Sequence, residues 1–384
     1  MGDAGRAPAP DGPVDPARGG GASAEFRDAA RDARPYCDLT LRERLVRHHD
    51  LAAQIIGHQI QIDYTRFFKR HVQPRMGTGK LGLRAHSLLL ALGQVRHATG
   101  VELAFLIRSD PATVSRNVST LVERGLATAA PDPGDARAII YTLTGKGAKA
   151  NAIYLAEWES AVARADRHLG TPMSEDDFRA SLAVFYDLKD RARAFALWSP
   201  RKDADFRRGI GRPEPAKRPD VTTLRAHADS FFRFFGQQIS SDYLLCISRR
   251  LAKPVLLETG LSLTDLRTLM CIDFRGRPLS GADISRSMRF DPATVARSTQ
   301  ALAEAGYVTV RPHAEDSRQT MSALTERGHA LAESYRRAAD ALVADVEAAF
   351  DIAWTEEKRD RAITRLLAAR DRAHAFAKLR KLPR

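Results

Sequence analysis

Residues 110–126 read DPATVSRNVSTLVERGL, and residues 291–307 read DPATVARSTQALAEAGY. Nine of the seventeen aligned positions are identical, and the two stretches start 181 residues apart. Both begin with an aspartate and a proline, continue with apolar residues at helical spacing and close on a glycine. Aspartate caps a helix, proline fits its first turn and glycine ends it, so both stretches predict a short amphipathic helix.

The similarity extends to both sides of this helix. Upstream, Asp63-Tyr64 matches Asp242-Tyr243 at an offset of 179 residues. Downstream, at the offset of 181, D-A-R at 135–137 matches D-S-R at 316–318, and LTGKG at 143–147 matches LTERG at 324–328. Since the order of the matches is the same in both halves, the chain contains two collinear copies of one domain, called copy 1 and copy 2.

The repeat and the local composition together predict the domain organisation. Residues 1–34 are rich in Gly, Pro and Ala and lack the apolar core of a signal peptide, so a disordered tail is expected there. Copy 1 is expected to occupy 35–198 and copy 2 to occupy 221–384. The intervening 199–220 is rich in proline and charged residues and predicts a semi-extended linker.

The chain is strongly basic, with 60 Lys+Arg against 47 Asp+Glu and a pI near 9.9. This charge favours a polyanionic partner such as nucleic acid. The three cysteines form no CxxC pair, and no apolar run approaches the length of about 20 residues that a membrane span needs. We therefore expect a cytoplasmic, nucleoid-associated protein without disulfides.

Hydrophobic periodicity predicts a mainly helical fold with a small β-wing in each copy. In copy 1 we expect one long helix over 39–71, helices at 83–96, after Gly100 and from Pro111 to Gly125, a hairpin ending near 143, and helices at 146–169 and 174–197. In copy 2 we expect the same order, with helices near 221–250, 263–275, 281–288 and 292–305, a hairpin over 306–324, and helices at 326–350 and 355–379.

The capped helix of each copy is typical of an element that reads the DNA major groove, and it is called the reading helix below. Its outer face carries small polar residues that allow close approach, and an arginine that can reach guanine or a phosphate. The candidate contacts are Thr113, Ser115, Arg116 and Ser119 in copy 1 and Thr294, Arg297 and Gln300 in copy 2.

The reading helix, the D-x-R hairpin and the LTxxG motif, in this order, resemble the MarR family of bacterial regulators. The resemblance covers about 36–198 and 221–379. It implies two tandem winged helix-turn-helix domains, each with a helical dimerisation-type region formed by the first and the last two helices. It also implies a sequence-specific transcription regulator, acting as a repressor on double-stranded DNA.

The same resemblance implies roles for the hairpin, the wing of each domain. The wing arginine enters the minor groove and the preceding aspartate orients it, which assigns these roles to Asp135 with Arg137 and to Asp316 with Arg318. Copy 2 also carries Arg311 on its first wing strand, whereas copy 1 has ATAA at 127–130. We therefore expect copy 1 to bind DNA less tightly.

Relatives often bind a small aromatic or phenolic effector between the two regions of each domain. The candidate residues for such binding are His58, Tyr64 and His86 in copy 1 and Tyr243 and Arg267 in copy 2. Ordinary packing is the alternative for each of them. Cys37, at the start of the first helix, is the residue that a redox-sensing alternative would use.

We find no motif for catalysis, for a cofactor or for a metal, so an enzyme is not expected. The alternative function is a non-catalytic scaffold in which winged helices have lost DNA binding and hold a protein partner. Two assemblies remain open: the copies pair within one chain as a pseudo-dimer, or each copy pairs with its equivalent in a second chain.

Overall fold

The computed structural model describes most of the chain from Tyr36 onward. The described residues are 36–76, 81–95, 97–107, 109, 111–135, 137–198, 236, 238–243, 247–313 and 319–382. The expected tail at 1–34, the expected linker at 199–220 and the candidate wing residues Asp316 and Arg318 lie outside them.

The chain divides into two compact units, Met1–Thr40 and Leu41–Arg384. In the described part of the first unit, Tyr36–Asp38 forms one 3-10 turn. The exposed thiol of Cys37 there donates a weak hydrogen bond of 3.4 Å to the Asp38 carboxylate. All other described elements belong to the second unit.

Copy 1 contains helices and strands in the predicted order. Its elements are α1 (Leu41–Arg47), α2 (His49–Phe67), α3 (Leu83–Val95), β1 (His97–Thr99), α4 (Gly100–Ile107), α5 (Pro111–Glu123), β2 (Ala127–Pro131), β3 (Ile139–Leu143), α6 (Gly145–Leu169) and α7 (Glu175–Leu197). Helix α5 is the reading helix of this copy.

Copy 2 repeats this order from its described helical residues 238–243 onward. Its elements are α8 (Lys253–Thr259), α9 (Leu263–Arg275), β4 (Leu279–Ser280), α10 (Gly281–Met288), α11 (Pro292–Glu304), β5 (Val308–Pro312), β6 (Thr320–Leu324), α12 (Glu326–Phe350) and α13 (Glu356–Lys378). Helix α11 is the reading helix, and α8 is an element that the periodicity did not predict.

Each copy has one small antiparallel sheet, in the orders β1-β3-β2 and β4-β6-β5. The long hairpin of each sheet has an equivalent register, since Ala130 pairs with Ile140 and Arg311 pairs with Met321. This confirms the predicted fold class, which is mainly helical with a β-wing in each of two tandem winged-helix regions.

The single helix expected over 39–71 is wrong in detail. His48 separates α1 from α2 because its backbone, with φ −110° and ψ 47°, leaves the helical region. Its buried imidazole shares a hydrogen bond of 2.9 Å with the carboxylate of Asp340 in copy 2. Helix α2 then ends in a π-helical turn at Phe68–Val72, just before Pro74.

The LTxxG motif explains how the end of the reading helix, the wing and helix α6 are joined. The hydroxyl oxygen of Thr144 accepts from the Gly147 N–H at 3.0 Å, and its O–H donates to the Gly125 carbonyl at 2.7 Å. Gly125, with φ 67°, ends the reading helix in the left-handed conformation. A Cβ on Gly147 would overlap the carbonyl oxygen of Leu126, so only glycine fits there.

Copy 2 builds the same junction. Thr325 accepts from the Gly328 N–H at 3.0 Å and donates to the Gly306 carbonyl at 2.8 Å. A Cβ on Gly328 would overlap the carbonyl oxygen of Tyr307. The motif is therefore a structural one, because it fixes the wing against the helix that follows it.

One hydrophobic core contains buried residues of both copies. Phe67, Trp158 and Phe195 of copy 1 share it with Tyr243 and Phe376 of copy 2. The winged-helix region of copy 2 contributes to this same core, whereas that of copy 1 has a smaller core of its own around Leu88, Leu103, Val118 and Leu126.

Equivalent residues of the two copies meet across a local two-fold relation. Gly57 and Gly236 correspond at the offset of 179 residues. A Cβ on either glycine would lie 3.2 Å from the carbonyl oxygen of the other. Reciprocal contact of equivalent residues is the signature of an isologous interface, here formed inside one chain.

A second reciprocal pair links each long helix to the other copy's reading region. The Gln238 side-chain amide donates to the Leu106 carbonyl at 2.7 Å, and the Gln59 amide donates to the Ser287 carbonyl. Gln59 and Leu106 are the repeat equivalents of Gln238 and Ser287. Each helix thus holds the region that precedes the opposite reading helix.

A third reciprocal pair involves the last helices. Arg191 of α7 binds the carboxylate of Glu347 at 2.6 Å and the Ile352 carbonyl at 2.8 Å. At the repeat positions, Arg372 of α13 binds the carboxylate of Asp166 at 2.6 and 2.8 Å and the Thr171 carbonyl at 3.0 Å. The last helix of each copy is therefore anchored to the other copy.

Candidate nucleic-acid interface and effector cavity

The two reading helices have the polarity that the sequence predicted. In α5, Val114, Val118 and Leu121 are buried, while in α11 Val295 and Leu302 are buried. The outer faces keep the candidate contacts Ser115, Arg116, Ser119, Arg297 and Gln300 exposed, with Thr113 and Thr294 half-buried. Each helix therefore presents one polar face to solvent.

The arginine of each outer face is held in the same way. Arg116 donates to the Thr113 hydroxyl at 3.2 Å, and Arg297 donates to the Thr294 hydroxyl at 3.3 Å. Both acceptors are neutral, so both guanidinium groups stay available to an anion or to a base edge, although Asp291 attracts Arg297 at longer range.

The N-terminus of α11 is capped by Asp291. Its carboxylate accepts from the Thr294 N–H at 2.8 Å and from the Thr294 O–H at 2.6 Å. The side-chain hydrogen bond from Thr294 is the main cause that lowers the pKa of Asp291. The equivalent Asp110 of copy 1 lies outside the described residues.

The two outer faces differ in the side chain that projects farthest. Ser119 folds back, since its O–H donates to the Ser115 carbonyl at 2.9 Å. Gln300, at the same position of copy 2, extends along the helix and donates to the Glu304 carboxylate at 2.7 Å. An amide that is this long can make a paired contact with adenine, which a serine cannot.

The wing tip of copy 1 has the arrangement that the family resemblance implies. The Asp135 carboxylate accepts from the Arg137 N–H at 3.0 Å and lies 3.5 Å from the Arg137 guanidinium, whose side chain is 94% exposed. In copy 2, Arg311 is exposed on β5, whereas β2 carries Ala130 at that position. Asp316 and Arg318 lie outside the described residues.

Two effector candidates of copy 1 lie in an aromatic cluster. Tyr64 is fully buried, with its ring centroid 6.0 Å from Trp158 and 6.3 Å from Phe376. His86 stacks on Tyr154 at 5.7 Å. These rings fill the space between the long helix and the winged-helix region of copy 1.

Tyr243 belongs to a buried polar network between the copies. Its O–H donates to the Asp50 carboxylate at 2.6 Å, and Arg191 binds both oxygens of that carboxylate at 2.8 Å. Burial raises the pKa of Asp50, but the adjacent His49 and the hydrogen bonds from Arg191 and Tyr243 together lower it to about 2. Burial lowers the pKa of His49 to about 4, so this imidazole is neutral at pH 7.

Of the effector candidates, Arg267 lines a cavity in copy 2. This cavity is small, with about 30 Å³ of free volume, and has mainly apolar walls that include Ile247, Met270 and Phe274. The hydroxyl-bearing ring of Tyr335 completes it. His58 lies close enough to Arg267 to feel its charge. Burial lowers the pKa of the His58 imidazole most, and the charge of Arg267 lowers it further.

The repeat explains why the copies differ at this place. Arg267 and Tyr335 stand at the positions of His86 and Tyr154, but Ala339 replaces the bulky Trp158. Sequence reasoning missed Tyr335 and Trp158. Both could have been found by aligning the two copies. Where one copy has tryptophan and the other alanine at the same core position, the copy with alanine is expected to leave a cavity.

Comparison with known proteins agrees with the geometry. A MarR family model matches residues 80–138 and, separately, residues 259–319. No curated protein gives a match to the chain. Within the described residues, no helix is both long enough and apolar enough to cross a membrane.

Each matched region runs through a reading helix and into its wing. MarR-family regulators bind DNA, usually as dimers, and are generally non-enzymatic. The two separate matches, together with the internal repeat, confirm the resemblance seen in the sequence. The chain therefore carries, in tandem, two winged-helix regions that match the MarR family model, as a DNA-binding transcription regulator of that family would.

Proposed function

We propose that this chain regulates transcription, as a repressor, by placing both of its reading helices on one double-stranded DNA site. The observation that carries the proposal is the reciprocal contact between the copies, such as Gly57 against Gly236. A homodimer uses this arrangement to present two reading heads to successive turns of DNA. Here a pseudo-dimer within one chain supplies both heads.

The proposed contacts follow from the chemistry of each head. Arg116 and Arg297 bind guanine or phosphate, and the wing arginines Arg137 and Arg318 enter the minor groove. The two heads belong to domains bounded as the repeat suggests, at 35–198 and 221–384. Because the heads differ at Ser119 and Gln300, the proposed operator is an imperfect inverted repeat.

Selection from random DNA, combined with the mass of the complex, tests this function. We expect one chain per site, half-sites about one helical turn apart, roughly 34–36 Å, and an affinity that falls steeply with salt. A strict palindrome bound by two chains would overturn the intramolecular pairing. Absence of any complex at low salt would favour a scaffold that has lost DNA binding.

Wing variants serve as internal comparisons in the same assay. Loss of one groove contact in Arg137→Ala or Arg318→Ala is expected to cost about 1–3 kcal/mol of binding free energy. The loss should be larger for Arg318→Ala, because Arg311 supports that wing while copy 1 has Ala130. The reverse order would show that copy 1 is the stronger head.

We further propose that copy 2 binds a small aromatic or phenolic acid that weakens DNA binding. The support is the apolar cavity beside Arg267, whose guanidinium suits a carboxylate or phenolate oxygen. Titration with salicylate should give one molecule per chain and a release of DNA. Arg267→Leu should weaken binding about 10-fold to 100-fold, and two equal sites per chain would contradict the proposal.

A further inference from the structure

A second cavity lies between the winged-helix part of copy 2 and the last helix α13. Its free volume is about 230 Å³ and it opens to solvent, which leaves room for a small anion. Its wall is basic on balance, since two aspartates, Asp283 and Asp371, stand against five arginines, Arg275, Arg277, Arg286, Arg289 and Arg370. This cavity is distinct from the apolar one beside Arg267.

Three of these arginines have carboxylate partners. Arg286 binds Asp283 at 3.0 Å, Arg370 binds Asp371 at 2.6 Å, and Arg289 binds the buried Asp63 of copy 1 at 2.6 Å. Their charges are therefore largely compensated inside the protein.

The other two have only neutral acceptors among the described residues. Arg275 donates to the Ser287 hydroxyl at 3.1 Å, and Arg277 donates to the Pro278 carbonyl at 3.2 Å. Neither forms an ion pair with a carboxylate in the described part of the chain. Two guanidinium groups thus lie in the cavity wall without a directly bonded carboxylate, although Asp283 attracts Arg277 at longer range. An anion in the cavity would gain paired hydrogen bonds from them.

The repeat shows that the domain does not need this charge in order to fold. Copy 1 carries Gln94 where copy 2 has Arg275, and Phe105 where copy 2 has Arg286. Arg275 and Arg286 are therefore a property of copy 2 alone, whereas Arg277 and Arg289 match Arg96 and Arg108 of copy 1. A structural requirement would have appeared in both copies, since they share the same fold.

We propose that this arginine-lined cavity binds a small anion that carries phosphate groups, one per chain. A phosphate presents several oxygens and up to two negative charges, which match two adjacent guanidinium groups better than a single carboxylate does. His374 of α13 and the amide of Gln59 also line the cavity and offer further polar contacts.

Occupancy would connect the reading head of copy 2 to the helical body. Arg286 lies on α10 and Arg289 follows its last residue, directly before the reading helix α11, whereas Arg370 lies on α13. An anion that contacts both elements would fix their spacing and so change the affinity for DNA. This regulatory consequence rests on the proposed function; the binding of the anion itself does not.

Calorimetric titration of the full chain with pyrophosphate, without DNA and at fixed ionic strength, tests the site. We expect saturable binding of one pyrophosphate per chain. Arg275→Gln combined with Arg277→Gln should weaken it about tenfold or more, and Gln at 275 copies the residue that copy 1 tolerates. The matched control is Arg361→Gln, an exposed arginine paired with Glu357 outside the cavity, which should leave the affinity unchanged.

Three outcomes would overturn the proposal. One is the absence of saturable binding, and another is an equal loss in Arg361→Gln, which would indicate general attraction to a basic protein. The third is a double variant that changes only the salt dependence of DNA binding, which would assign these arginines to DNA phosphates. If the chain binds pyrophosphate but binds no DNA, the proposed function is wrong and the proposed anion site is still supported.

Discussion

Replacement of Arg191 by alanine is expected to lower the free energy of unfolding by about 3–5 kcal/mol. The Arg191 side chain is only 1% exposed and binds Asp50 of its own copy together with Glu347 of copy 2. Its removal leaves the buried Asp50 carboxylate without its cation, and the low pKa of Asp50 shows how strongly the charged form is held. Urea unfolding of the full chain at pH 7 measures the loss.

Arg42→Ala is the matched control. Arg42 also joins the copies, through Asp360 at 2.8 Å, but both side chains are about half exposed. Exposed ion pairs contribute little, so this variant should lose less than about 1 kcal/mol. Similar losses in the two variants would mean that burial of the Arg191 network does not determine the pairing of the copies.

Gly147→Ala is expected to destabilise the chain by about 3 kcal/mol, at the upper end of what overpacking costs. The new Cβ would overlap the Leu126 carbonyl oxygen, which belongs to the backbone and cannot rotate away. Because the same junction fixes the end of α5, DNA affinity should fall with stability. Thermal unfolding and a DNA titration of the same preparation measure both effects.

Gly145→Ala provides the comparison, two residues earlier in the same helix. A Cβ on Gly145 meets no atom within 4 Å, and copy 2 carries Glu326 at that position. This variant should be unchanged or up to about 1 kcal/mol more stable. Equal destabilisation of the two variants would indicate a general need for glycine in the turn and no specific contact with Leu126.

The reading helices and wings could be predicted because their signals are local. An aspartate, a proline, apolar residues at helical spacing and a closing glycine all lie within 110–126 and again within 291–307. The break at His48 could not be predicted from local sequence, since the partner of its buried imidazole is Asp340, almost 300 residues away. The hydrophobic periodicity of residues 39–71 contains no information about Asp340.

The effector candidates could be predicted only in part, for the same reason. Tyr64 and His86 lie where the family resemblance places an effector, but whether such a ring packs in the core or lines a cavity depends on distant residues such as Trp158. The sequence also could not predict that the copies pair within one chain, because this pairing depends on contacts between distant residues. Arg191, for example, binds Asp50 of copy 1 and Glu347 of copy 2. The roles of the wing and outer-face residues in DNA binding stay predictions.

The contact of Gly57 with Gly236 inside one chain also determines how the regulator responds to its own abundance. A homodimer separates on dilution, so its occupancy of DNA falls with the square of the monomer concentration. Covalent linkage replaces that dependence by a constant effective concentration, commonly in the millimolar range for short flexible links. The two heads therefore stay together when a cell holds only a few copies of the protein.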